Sequence, residues 1–270
     1  RLDQEDFLKN NEKISELKLR AGYGVTGLNG EVLGATPWLS GVSSKSAFYP
    51  FNNNLNSGPS SSINSIGNPN LEWETTKQVN VGLNLGLLKN KVTFVAEYYS
   101  RQTENLILMV PLPPSMGYIT SNVITNAGSM RNYGLEFQLG YNKTKGNFTW
   151  SALANFSTIN NKVLRLAEGV SSIESGNDQD FTEGYKVTRT AAGHPVQSFY
   201  GWIVDGIFQN ADEVTHAPFQ KAGTAAGDIR FKNLDGNNVI DDADRTYLGS
   251  FLPKFTYSLN LNGGYKNFNL

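Results

Sequence analysis

Twelve residues from Asn233 to Asp244, Asn-Leu-Asp-Gly-Asn-Asn-Val-Ile-Asp-Asp-Ala-Asp, present a row of hard oxygen donors at close spacing. Read as a Ca²⁺ loop, Asn233, Asp235, Asn237, Asp241 and Asp244 supply side-chain oxygens, and Val239 supplies its carbonyl. Three departures weaken the match. Asn233 stands where Asp is usual, Asn238 where the turn favours Gly, and Asp244 where the longer Glu is usual. Asn does tolerate the left-handed conformation that this turn needs. The competing reading is a metal-free turn held by Asp and Asn side chains. Any Ca²⁺ here is expected to be structural, and no other cofactor is called for.

Five loop aromatics, Trp38, Tyr49, Tyr118, Tyr200 and Trp202, are candidate stacking platforms for sugar rings. Their alternative role is to pack long loops in place. Chemistry on a substrate finds no carrier. The two histidines, His194 and His216, have no Ser, Asp or Glu at the spacing of a nucleophile elbow or a zinc motif. There is no cysteine, so thiolate metal sites and disulfides are excluded. The sequence therefore predicts a protein that is not an enzyme and has no catalytic residues.

The elements that must position these residues read as strands. Val79, Val81, Leu83 and Leu85 alternate with Gln78, Asn80, Gly82 and Asn84. Leu135, Phe137, Leu139 and Tyr141 alternate with Gly134, Glu136, Gln138 and Gly140. The same period of two runs through Phe148–Phe156 and Phe255–Leu261, and no apolar face in these runs carries a charge. Expected strands cover about 14–24, 72–87, 91–108, 131–142, 147–160, 185–191, 197–208 and 254–265, with a short helix near 210–217 capped by Asn210. The segment 1–13 reads as polar and helix-like. Tight turns at 88–91 and 143–147 alternate with long loops at 25–70, 109–128, 161–184 and 209–250. Long strands with an uncharged outside and a polar inside, joined alternately by short and long connections, are the code of a transmembrane β-barrel. Tyr23, Trp73, Tyr98, Tyr141, Trp150, Tyr257 and Tyr265 sit where interfacial aromatic girdles would. Glu16, Lys18, Arg20, Glu97, Arg101 and Glu136 fall on the opposite, lumenal face.

Composition agrees. The chain has 270 residues, a net charge of −1 and 17% charged residues, less than a soluble domain usually carries. Nucleic acid, which requires a basic stripe, is not an expected partner. No apolar run is long enough for a membrane helix. The chain begins Arg1-Leu2-Asp3 and stops as a strand is starting, which reads as one piece of a larger protein. The competing architecture is a surface-exposed β-sandwich acting as an adhesin or glycan-binding module, which shares the alternation but uses shorter strands.

Four segments then resemble one family. Gly67-Asn68-Pro69-Asn70-Leu71-Glu72-Trp73-Glu74-Thr75-Thr76 is similar to the motif that opens a barrel strand in SusC/RagA-type TonB-dependent outer-membrane transporters. Asn126 to Phe137 resembles the family's N-x-G-x-x-x-N-x-G-x-E-F strand. Phe199-Tyr200-Gly201-Trp202 with Asp205 to Gln209, and Gly227 to Phe231 followed by Asp241, Asp244-Arg245, Leu248-Gly249 and Pro253, resemble two later segments in the family's order. The resemblance implies an all-β fold, here an internal segment of a large antiparallel barrel of about 22 strands closed by a plug. It implies a bacterial outer-membrane location and import of nutrient oligomers, oligosaccharides or peptides. It also implies a SusD-like surface lipoprotein as lid, TonB acting through plug and N-terminal regions outside this chain, and pairing with the remainder of the same barrel. Roughly seven to nine spanning strands are expected within the chain.

Overall fold

The computed structural model describes residues 2–6, 8, 11, 13–28, 37–51, 54–111, 115, 122–176, 186–266, 268 and 269. The chain divides into two compact units. One comprises residues 1–169 and 254–270, the other residues 170–253. The single partial-barrel reading thus resolves into a sheet and a smaller unit inserted in its chain.

The first unit is an antiparallel meander of six long strands, β1 (Ile14–Leu28), β4 (Glu74–Leu87), β5 (Val92–Pro111), β6 (Asn122–Lys145), β7 (Phe148–Thr158) and β15 (Phe255–Tyr265). They pair in that order, and the short β16 (Phe268–Asn269) follows β15 at one edge. Two further strands, β2 (Gly41–Phe51) and β3 (Asn54–Ser65), form a separate hairpin, and β8 (Asn160–Leu166) pairs with the far end of β6.

Register explains why this sheet has two chemically different faces. One row runs Leu19, Leu83, Ala96, Phe137, Phe156 and Tyr257 across all six strands. The next runs Arg20, Gly82, Glu97, Glu136, Ser157 and Thr256. A parallel pair of rows, Leu17–Leu85–Phe94–Leu139–Ala154–Leu259 and Lys18–Asn84–Val95–Gln138–Asn155–Ser258, repeats the contrast with Val95 as its one apolar intruder. The apolar rows are bare: Tyr257 is 79% and Leu261 67% exposed. In water such a surface would be an aggregation site; in a bilayer it is the ordinary outer wall.

Strand length fits the same reading. A barrel strand needs about 9–11 residues to cross the hydrocarbon, and β7 and β15 have 11 each. Strands of that length also exceed the five or six residues typical of soluble strands, which sets aside the sandwich. With 20 and 24 residues, β5 and β6 continue well past the crossing. The girdle residues fall at matching intervals: Tyr133 and Tyr141 on β6, and Tyr257 and Tyr265 on β15, are each eight residues apart. Close contacts reinforce the lower rim, where Tyr141 meets Trp150 at 4.8 Å and Phe148 meets Tyr265 at 4.5 Å between ring centroids.

Several expectations change here. The meander has six spanning strands rather than seven to nine, because the segments near 185–191 and 197–208 belong to the second unit. The long loops are partly paired: 25–70 holds the β2–β3 hairpin, and the edges of 109–128 and 161–184 are strand extensions and β8. Of the helix-like segment expected over 1–13, the described residues show a 3-10 turn at Leu2–Gln4. Residues 29–36, 116–121 and 177–185 of these loops lie outside the described residues.

The second unit is built on a four-stranded sheet. Its strands are β9 (Ser172–Ser175), β10 (Thr188–Ala191), β11 (Ser198–Trp202) and β14 (Arg245–Gly249). A two-stranded ribbon, β12 (Val204–Ile207) with β13 (Ile229–Phe231), and one helix, α1 (Ala211–His216), complete it. Asn210 caps α1, accepting the Glu213 N–H at 2.8 Å, as its sequence position predicts. The buried centre holds Phe208, Ile240, Ser198 and Asp244. Asp244 is fully buried. Its carboxylate accepts the N–H of Leu234 at 2.6 Å and of Asp241 at 3.0 Å, which closes a capping box at residues 241–244. Those N–H bonds hold the Asp244 carboxyl below the usual carboxylate range.

Two outcomes follow from this architecture. In the full-length barrel, Phe137→Arg should destabilise by about 2–4 kcal/mol in denaturant unfolding from lipid, while Gln138→Arg, one residue further on, should leave stability within error; the opposite order would mean the faces are reversed. For the second unit, a lowered folded-state pKa means that the Asp244 contribution is complete above the ordinary carboxylate range and is lost as pH falls from there through the lowered folded-state value. The protection factors of the Leu234 and Asp241 amides, exchange rates corrected for the intrinsic pH dependence of amide exchange, should therefore be constant from neutral pH down to the ordinary carboxylate range and fall below it. In Asp244→Asn the same amides should exchange fast already at neutral pH.

Candidate functional site

The inner face of the meander carries polar side chains bonded across the strands in separate groups. Arg20 lies across the sheet, its Nη2 donating to Glu97 Oε2 at 2.9 Å and its Nε to Asn84 Oδ1 at 3.0 Å. Asn80 Nδ2 donates to the other Glu97 oxygen at 3.0 Å, Gln78 Nε2 to Asn80 Oδ1 at 2.8 Å, and Arg101 Nε to Gln78 Oε1 at 3.2 Å. Gly82, between Arg20 and Glu97 in register, makes this crossing possible: a Cβ there would stand 2.9 Å from Arg20 Nη2. Further along, Gln138 donates to Asn155, Asn155 to Ser258, and Ser157 shares a bond with Thr256. Glu97, Glu136, Gln138, Asn155, Ser157, Thr256 and Ser258 line one open hollow of about 520 Å³.

This surface is rich in amides and hydroxyls, and its charges are matched rather than concentrated. It can offer many directional, neutral hydrogen bonds to a polar solute. Of the charges expected here, Arg20 and Glu97 form an ion pair and Arg101 is bound by Gln78. Glu136 and Lys18 stay exposed on the same face. The neutral members, Gln78, Asn80, Asn84 and Asn155, were visible as period-two polar positions. Nothing local, however, marked which of them bond: register brings Gln78, Asn80 and Asn84 to the Arg20–Glu97 pair and, separately, Asn155 to Gln138 and Ser258.

The aromatic candidates separate. Trp38 is exposed. Tyr118 lies outside the described residues, as does the side chain of Tyr49. Tyr200 and Trp202, two apart on β11, are engaged inside the second unit. Arg189 sits 3.6 Å and Arg245 4.9 Å from the Tyr200 centroid, and Arg245 also stands 5.2 Å from the Trp202 ring. Trp202 Nε1 donates to the Asp241 carbonyl at 2.7 Å. Both rings therefore make contacts within the second unit. Arg189, itself paired with Glu174, and Arg245 were not legible in advance, because their partners are distant in sequence. His194 stacks on Tyr247 at 3.5 Å, and His216 bonds the Asp212 carbonyl; neither meets a nucleophile.

The six candidate cation ligands do lie on one loop, and a side-chain oxygen of each Asn and Asp among them accepts a backbone N–H of the same loop. Asn233 Oδ1 accepts from Gly236, Asp235 Oδ1 from Asn237, Asn237 Oδ1 from Val239 and Asp241 Oδ1 from Ala243. Asn238 takes the left-handed φ of 70° that was anticipated for it. Among the described residues no three His, Asp or Glu side chains converge as a metal site. The loop geometry is that of linked Asx turns around Asp244.

The segments that carried the family resemblance are brought together in pairs. Glu72 N donates to Asn126 Oδ1 and Asn126 Nδ2 returns a bond to the Glu72 carbonyl, both at 2.8 Å. Asn68 Nδ2 reaches the Ile124 carbonyl at 3.2 Å. The first motif thus fastens the start of β4 to the extension of β6. In the second unit, Phe208 N donates to the Asp228 carbonyl at 3.0 Å and Gly227 N to the Phe208 carbonyl at 2.7 Å, joining the third motif to the fourth.

Comparison with known proteins agrees with this geometry. The family described as TonB dependent receptor-like, beta-barrel matches residues 14–270. TonB-dependent receptor P3 of Formosa agariphila is 32% identical over 269 residues, covering 99% of this chain and 26% of that protein. TonB-dependent receptor SusC of Bacteroides thetaiotaomicron is 29% identical over 275 residues, covering 99% and 25%. A solved structure described as the RagAB peptide transporter superposes with a TM-score of 0.75 at 22% identity, covering 99% of this chain and 26% of that one, a likeness of fold. The chain spans about a quarter of the length of these relatives. A barrel-family match over nearly its whole length, on a sheet with one lipid-facing and one polar face, places this chain among the TonB-dependent receptors of the outer membrane, as a segment of their barrel wall.

Proposed function

We propose that the protein of which this chain forms a part imports nutrient oligomers across the outer membrane by TonB-dependent active transport. Oligosaccharides are the leading solute class and peptides the alternative. The observation that carries this reading is the polar inner face, from the Arg101–Gln78 group to the Gln138–Asn155–Ser258 group, a broad surface without a dominant charge. Sugar hydroxyls and peptide amides are both served by such donors and acceptors; an anionic or cationic solute would call for an unbalanced lining.

The meander also supports a topology. The connections β1 to β4, β5 to β6 and β7 to β15 leave from one end, and each is an excursion; β4 to β5, β6 to β7 and β15 to β16 turn tightly at the other. By the barrel rule the excursions are extracellular and the turns periplasmic. An extracellular surface of this kind would receive a SusD-like lipoprotein lid. TonB would act through a plug and N-terminal region encoded elsewhere in the protein, and the outer strands of the sheet would pair with the remainder of the barrel, since hydrocarbon satisfies no open edge. In this reading the protein does no chemistry on its solute, and the Asn233–Asp244 loop stays a structural element with or without Ca²⁺.

The test uses the full-length transporter with its lipoprotein. Calorimetry against neutral oligosaccharides and against peptides should give binding to one class. Gln138→Ala with Asn155→Ala should weaken it about five- to thirtyfold, as loss of one or two neutral hydrogen bonds requires. Binding unaffected by the pair of substitutions would remove the Gln138–Asn155–Ser258 group from the solute path. Protease added to intact cells should spare Lys89 and Lys145; cleavage there would invert the topology.

A further inference from the structure

The lipid-facing side of this sheet carries no charge across its apolar rows, yet just beyond the rim a row of cations stands on that same outward side. In register it runs Val25, Lys77, Gln102, Arg131 and Lys162 across β1, β4, β5, β6 and β8. The parity is unambiguous, since Lys77 precedes Val79 and Val81 by even steps and Arg131 precedes Tyr133 and Leu135 in the same way. Arg131 is anchored toward the rim. Its Nε donates to Ser100 Oγ at 3.0 Å, its Nη2 lies 3.4 Å from Tyr98 Oη, and its guanidinium carbon stands 5.2 Å from the Tyr133 centroid.

Arg131 and Lys162 are direct cross-strand partners. Like charges in that position repel and are disfavoured unless something neutralises them. The one carboxylate of the row's neighbourhood, Glu104, is already held by Lys77 at 2.7 Å and also lies within the field of Arg165. Among the described residues, Arg131 and Lys162 have no ion-pair partner. The patch therefore keeps an uncompensated positive charge, with hydroxyl donors from Ser100 and Tyr98 beside it, on the face that meets lipid.

We propose that Arg131 and Lys162, supported by Lys77, Ser100 and Tyr98, bind the phosphate of an outer-leaflet lipid headgroup. A phosphate would relieve the Arg131–Lys162 repulsion, take the planar guanidinium fork in a two-point contact and accept from the adjacent hydroxyls. The acyl chains of the same lipid would lie along Leu135, Val81 and Ala96 below. The assignment of this rim to the outer leaflet rests on the topology of the proposed function; the phosphate site itself rests on the outward parity alone.

The experiment titrates the detergent-purified full-length transporter with phosphorylated lipid A and with the same lipid after removal of its phosphates, reading bound lipid by native mass spectrometry. Wild type should bind the phosphorylated form at least about tenfold more tightly, and each cation removed should cost about fivefold, so Arg131→Gln with Lys162→Gln should abolish the preference. Heat-modifiable migration on gels checks that the variant is folded. Should the double variant fail that check, Lys162→Gln alone, an exposed position, carries the test. Equal binding of both lipids by wild type, or an unchanged preference in a folded variant, overturns the site. Displacement of the lipid by inorganic phosphate at equal concentration would make it a free-anion site and overturn the lipid assignment. Loss of self-association in the variant with no phosphate preference in wild type would make the row a contact between copies, which also overturns it. Detergent has no sides, so a failed topology in the protease assay leaves this measurement untouched.

Discussion

Hydrocarbon offers no hydrogen-bond partner, so each backbone amide of a lipid-facing strand must be met by the strand beside it. In this chain that demand fixes the register of six strands, and register then decides everything else about the sheet. Because side chains alternate strictly, a ladder that aligns Leu83 with Ala96 and Phe137 also aligns Gly82 with Glu97 and Glu136. The greasy wall and the polar lining are two consequences of one pairing pattern. A slip by a single residue would move Arg20 and Glu97 into lipid and Leu19 and Phe137 into the interior.

The lining shows how far this coupling goes. Arg20 can reach Glu97 because Gly82 leaves the space between them empty. At Gly134 the crowding is greater: an added Cβ would lie 2.0 Å from the Thr158 carbonyl and 2.8 Å from Tyr99 Oη. Both glycines sit on the inner face of strands whose outward neighbours are large and apolar. Their role is close approach rather than turning, and the outer face gives no hint of it.

This division explains what could be read in the amino-acid order and what could not. The strands around Val79–Leu85, Leu135–Tyr141 and Phe255–Leu261 announce themselves, since each carries its own two-faced alternation and needs no partner to be seen. The turns at 88–91 and 143–147 follow from where that alternation stops. The β2–β3 hairpin was read as loop because its second strand, Asn-Leu-Asn-Ser-Gly-Pro-Ser-Ser-Ser-Ile-Asn-Ser, has no apolar face to alternate. The extension of β6 over residues 122–130 gives no such signal either. It is fixed by pairing with β5 and by Asn126, which bonds Glu72 across 54 positions of sequence. In the second unit, Tyr200 and Trp202 look like exposed platforms until Arg189 and Arg245, residues with no local signal, are brought over them. The Asx spacing of residues 233–244 is legible as a loop of oxygen donors; that Asp244 is buried, accepting the Leu234 N–H from ten positions earlier, is a tertiary fact.

Two arginines show how little side-chain identity alone decides. Arg20 and Arg131 each lie on a long strand of the same sheet, and each is followed by a tyrosine on that strand, Tyr23 and Tyr133. Parity sends Arg20 inward, where a carboxylate and an amide await it at about hydrogen-bond distance. Parity sends Arg131 outward, past the end of the apolar band, where its protein partners are hydroxyls and a ring rather than an acid. A charge placed outward within the band would oppose insertion, but one placed a single row above it faces headgroups and gains from them. The position of the rim along each strand, not the residue's type, separates a destabilising charge from an anchoring one. The tyrosines at that rim fix the boundary on which the distinction turns.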